Sequence, residues 1–107
     1  MPTTLIITNA NATLNYDYNI FTFVNTNLLT LQRTATLPDL VDGSELYIKL
    51  DPSSVVGSSV RIVPSGAGVT IENAASKTIG LLSGSGGCVH LVAKNTNWQL
   101  ISYQGLV

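Results

Sequence analysis

The sequence is short of charge. Only 10% of its 107 residues are Asp, Glu, Lys or Arg, where soluble domains average about 25%. Ser, Thr and Asn supply the polarity instead. A surface with few charges repels its neighbours weakly, so the composition implies a surface covered by other protein. The five cations, Arg33, Lys49, Arg61, Lys77 and Lys94, are spread along a chain of net charge −1. No basic stripe exists to displace counterions, which argues against a nucleic-acid partner. The single Cys88 leaves no internal disulfide and gives no argument for secretion. It sits in the most hydrophobic strand, so a buried thiol is expected rather than a nucleophile. No apolar run approaches the ~18 residues of a membrane span. The first residues carry neither the basic region nor the long apolar region of a signal peptide. No membrane partner is expected.

What is present is a β pattern. The hydrophobic fraction is 45%, and the length suits one domain with a core that needs no staples. A single β domain over 1–107 is expected, with 1–8 as an N-terminal arm or short strand. Cys88 to Ala93 is apolar and β-prone, Lys94 to Asn97 is a polar turn, and Trp98 to Tyr103 alternates again; this predicts a hairpin. Glu45 to Leu50 reads as a strand with Leu46, Ile48 and Leu50 inward. Leu28 to Leu37 alternates, with Leu29, Leu31, Ala35 and Leu37 on one face and Arg33 interrupting it. Pro38 ends it for want of an N–H. Thr13 to Tyr16 and Asn19 to Val24 are two more strands. In the second, Ile20, Thr22 and Val24 alternate with Phe21 and Phe23, so both faces are apolar. Val60 to Val63, Val69 to Glu72 and Lys77 to Leu82 are further short strands. Asp51-Pro52-Ser53-Ser54 suits a short helical turn, and Ser83 to Gly87 suits a flexible loop. No solenoid repeat of fixed period is visible. The expected fold is all-β: a compact antiparallel sandwich or barrel of about eight to ten short strands.

Candidate chemistry is thin. His90, the sole histidine, lies mid-strand without the oriented partner and nucleophile that a general base needs. No Cys/His spacing suits zinc. Asp39, Asp42 and Asp51 have the oxygen chemistry of a cation site, but turn and cap roles explain them more simply. Six acids are present, and no spacing singles out a glycosidase pair. Gly84-Ser85-Gly86-Gly87 precedes a strand, not the helix of a phosphate cradle. Tyr16, Tyr18, Tyr47, Tyr103 and Trp98 would stack on sugars if exposed, and Trp98 is assigned to the core. No catalytic residue, cofactor or metal is expected, and the chain is not read as an enzyme.

The order Ala35-Thr36-Leu37-Pro38, Asp42-Gly43-Ser44-Glu45-Leu46-Tyr47-Ile48-Lys49, Val69-Thr70-Ile71, and Val89-His90-Leu91-Val92-Ala93 through Trp98 to Ile101 resembles small β-sandwich modules. These belong to the capsid decoration (cement) proteins and the head and tail fibres of tailed bacteriophages. The resemblance covers roughly residues 34–102. Asn95-Thr96-Asn97 stands where those modules usually place Gly in the final turn. The resemblance implies a structural protein on the outer surface of a virion, made in the host cytoplasm. It also implies a homotrimer that bridges major capsid protein subunits. A fibre module binding a receptor glycan, or a free carbohydrate-binding domain, is the alternative. Apolar residues at Leu5, Ile6, Ile7, Leu106 and Val107, with Phe21 and Phe23 of the two-sided strand, are the expected interface.

Overall fold

The structure, a computed structural model, describes residues 3–81 and 86–106. Among them the chain is all-β, with ten strands and no helix. These are β1 Thr4–Thr8, β2 Ala12–Thr13, β3 Ile20–Val24, β4 Gln32–Thr36 and β5 Glu45–Leu50. They continue as β6 Ser59–Val63, β7 Thr70–Ile71, β8 Lys77–Gly80, β9 Cys88–Lys94 and β10 Asn97–Gln104. Two sheets form, in the orders β1-β3-β5-β9-β10-β7 and β2-β4-β6-β8.

The chain crosses from one sheet to the other at each of its first five connections. β1, β3 and β5 lie parallel in the larger sheet. β2, β4 and β6 lie parallel in the smaller. This is a short solenoid of three coils, not the antiparallel sandwich or barrel that strand spacing suggested. Antiparallel pairing enters only afterwards, where β8 meets β6, β9 meets β5, and β10 folds back on β9. The coils are unequal. Thr4 pairs with Ile20, Ala12 with Ala35, and Ile20 with Tyr47. Only the last two steps agree, Ile20 to Tyr47 and Gln32 to Ser59, so no fixed period marks the whole stack in sequence.

Period-two alternation identified the long strands, because one face of each must meet the opposite sheet. β5 buries Leu46, Ile48 and Leu50 and exposes Tyr47 and Lys49. The β9–β10 hairpin forms with Asn95 at φ 58, a left-handed conformation that Asn tolerates in place of Gly. Its approach is tight as well as turned: a Cβ on Gly86 would lie 1.6 Å from the carbonyl oxygen of Leu50. Gly86 and Gly87 are buried, whereas the rest of the expected flexible loop lies outside the described residues.

Several strands are shorter than expected. β2 ends at Thr13, with the buried Leu14 still donating its N–H to the Thr36 carbonyl at 2.7 Å. β7 stops at Ile71, where Glu72 and Asn73 take φ of 46 and 63. β8 ends at Gly80, and Leu82 is outside the described residues. Asp51 to Ser54 is a turn, not helix: Asp51 Oδ2 accepts the Ser53 N–H at 3.0 Å and the Ser53 hydroxyl. These two donors, helped by Lys49, hold the Asp51 carboxyl below the usual carboxylate range. Cys88 is half-buried on the outer face of its strand, not in the core, because Val89, Leu91 and Ala93 take the inward positions.

The core lies between the sheets. Phe21 faces it opposite Ile48, and Phe23 opposite Leu50. Both aromatics are 0–1% exposed, so they are not the partner-facing residues expected of β3; Ile20, Thr22 and Val24 take the outer side. Trp98 is fully buried, and among the described residues its indole N–H meets no acceptor. Phe21→Ala should cost about 3–5 kcal/mol, as removal of a buried ring does. Thr22→Ala, on the outer face, should cost well under about 1 kcal/mol. Urea denaturation of the two variants reads this difference, and equal costs would mean that β3 faces the other way.

Candidate interaction surface

At one corner of the stack two connections run side by side. One joins β3 to β4 and the other joins β5 to β6. Asn25 ties them. It is fully buried, and its backbone N–H donates to Ser54 Oγ at 3.0 Å while its carbonyl accepts the Val55 N–H at 2.8 Å. Its side-chain amide donates to the Thr30 carbonyl at 2.9 Å and to Ser58 Oγ at 3.2 Å. Its Oδ1 accepts Arg33 Nε at 3.1 Å. Arg33 thus completes an amide network and has no carboxylate there. Asn27 Oδ1 accepts the Leu29 N–H at 2.8 Å, a local turn that takes backbone away from a strand. That is why β4 begins at Gln32 and not at Leu28.

The consequence is an apolar corner. Leu29 is 95% exposed, Val56 93% and Leu28 75%, and Leu31 is exposed beside them. Leu31 Cδ1 lies 3.3 Å from where a Cβ on Gly57 would stand, so the two loops touch. Gly57 itself has φ 91, which a side chain would strain. Scattered single hydrophobes are ordinary on a protein surface, but four on two adjoining loops make a candidate contact site.

The residues expected at an interface are dispersed. Ile7 is in the core and Leu5 packs against it, while Ile6 on the same strand is 65% exposed. Leu106 packs on the core through a bridge to Ile79, and Val107 is outside the described residues. With Phe21 and Phe23 buried, only Ile6 of the described members of that set stands free. The apolar corner was missed because Leu29 and Leu31 fit the alternation of β4. The signal that finds it is Asn25-Thr26-Asn27 just upstream, whose amides compete for strand backbone.

The polar candidates also separate. Asp39 Oδ1 accepts the Ser65 hydroxyl at 3.0 Å, Asp42 Oδ1 accepts the Asn95 N–H at 2.8 Å, and Asp51 holds its own turn. Each braces a loop. On the outer face of the larger sheet, Tyr47 stacks on His90 with ring centroids 4.1 Å apart. His90 Nε2 lies 2.8 Å from Glu45 Oε1. A shallow depression of about 370 Å³, lined by Asn11, Thr13, Thr34 and Thr36, lies on the smaller sheet. The exposed ring and the hydroxyl-lined hollow therefore sit on different sheets. No protein-family model matches the chain, and no characterised protein matches it in sequence.

Asn25→Ala should cost about 2–4 kcal/mol, since it removes several hydrogen bonds and leaves buried partners unsatisfied. Chemical denaturation measures it. A cost below about 1 kcal/mol would show that the two loops hold without the amide.

Proposed function

We propose that this chain is a structural virion protein, a capsid decoration protein that bridges neighbouring major capsid protein subunits from the outer surface. The observation that carries the reading is the apolar corner of Leu28, Leu29, Leu31 and Val56 on a chain with little charge. Such a corner is disfavoured in water and gains by being covered. Burial yields roughly 25 cal/mol per Å² of apolar surface. A few leucine-sized side chains seated against a shell thus outweigh part of the cost of association. Bound at the junction of two subunits, the protein stabilises the assembled shell over its parts by mass action.

The braced loops suit this role. Asn25 fixes the two connections before any partner arrives, so little ordering entropy is lost on binding. The resemblance to decoration and fibre modules supports a homotrimer, whose three corners would engage three shell sites at once. Tyr47, exposed and stacked on His90, favours a second reading: a fibre module that offers this ring to a receptor glycan.

Quantitative mass spectrometry of purified virions of the source virus tests the assignment. Hundreds of copies per particle are the expected result, a handful would favour the fibre reading, and none would overturn both. Leu29→Asp combined with Val56→Asp should abolish binding to shells assembled without this protein. Both residues are exposed, so stability should move by less than about 0.5 kcal/mol. Unchanged shell binding would remove the apolar corner from the account.

A further inference from the structure

The two ends of the solenoid differ. At the C-terminal end the edges are covered. Leu106 bridges Ile79 on the outer side of β8, and the Gly80 N–H donates to Gly105 O at 2.8 Å. β7 is closed by its own turn, with Ile71 and Ala74 exchanging backbone hydrogen bonds. At the N-terminal end β1 and β2 are the outermost strands of their sheets, and among the described residues no strand pairs with their free sides. Both open edges belong to the same first coil.

Proteins usually guard such edges with Lys, Pro or a bulge, and solenoids with a polar cap. Among the described residues, β1 and β2 contain no Lys, Pro or bulge. No Asp, Glu, Lys, Arg or His occurs from Thr3 to Tyr16. The register of β1 on β3 runs from Thr4 to Thr8 without a bulge. Thr3 O and the Asn9 N–H bond toward the β3 side. Alternation then turns the backbone groups of Thr4, Ile6 and Thr8 to the free side.

We propose that this open end is a self-association surface, on which a second copy of the chain docks head to head through a twofold axis. β1 pairs antiparallel with the partner copy's β1, centred on Ile6, and β2 pairs with its counterpart. Two features select a second copy over an extended peptide. The end presents two strand edges about 10 Å apart, the spacing of packed sheets. A single peptide strand satisfies only one, whereas the same end of another copy satisfies both. The edges are also uncharged, so they meet themselves without repulsion, as a twofold contact requires. The inference is independent of the virion reading, because it uses the opposite resource of the molecule: backbone at the first coil, not side chains at the apolar corner.

Light scattering after size exclusion, over a range of concentrations, tests it on the full chain. The wild-type mass should be twice that of Ile6→Lys, which sets like charges across the axis. Ile6→Pro should give the same halving, since it removes only a donor on the free side and leaves the β3 side intact. Mixing Ile6→Lys with Ile6→Glu should restore the doubled mass. Circular dichroism and thermal melts confirm that each variant is folded. A wild-type mass equal to that of folded Ile6→Lys would overturn the proposal, as would a mixture that regains nothing.

Discussion

The buried amide of Asn25 is the contact on which the winding depends. A solenoid must turn its chain from one sheet to the other at every half-coil, and each turn carries backbone groups toward the interior. Unsatisfied, each such group costs about 1–3 kcal/mol. One residue meets the demands of two stacked turns from adjacent coils, its side chain accepting from Arg33 and donating to Thr30 and Ser58 while its main chain holds Ser54 and Val55. With the turns fixed, β3 and β5 are held at the register that sets Phe21 on Ile48 and Phe23 on Leu50. The aromatic centre of the core follows from a polar contact at its rim.

The same arrangement distributes the surface. Asn25 and Asn27 take up the backbone that would have extended β4, and the leucines of that segment are left outside. The scarcity of charge then matters locally as well as on average. The four apolar side chains of the corner and the two strands of the first coil carry no charge, whereas Lys77 and Lys94 lie in β8 and β9, beyond the third coil. The molecule has a guarded end, an unguarded end and an apolar flank.

Much of the fold was legible in the sequence, and the limits have physical causes. β5 and the β9–β10 hairpin were readable because alternation is local, and a buried face leaves its mark on every second residue. β3 was placed within a residue, but its orientation was not, since Ile20 and Val24 are as apolar as Phe21 and Phe23. Parallel winding was hidden. Alternation is the same in parallel and antiparallel strands, and coils of unequal length leave no period to detect. The apolar corner was the least visible part: Leu29 and Leu31 matched the face of Ala35 and Leu37, and only the upstream asparagines revealed the turn. Trp98 was assigned correctly to the core because an alternating strand gives a lone indole one place to go.

The winding itself is the central claim, since the braced corner and the open first coil both follow from it. Nuclear Overhauser contacts across β3 test it most directly. The parallel solenoid predicts backbone contacts from Phe21 and Phe23 to the segments around Ile48 and Leu50 on one side, and to Leu5 and Ile7 on the other. Contacts from β3 to an antiparallel Gln32–Thr36 strand, as a sequential hairpin of a sandwich would give, would contradict it.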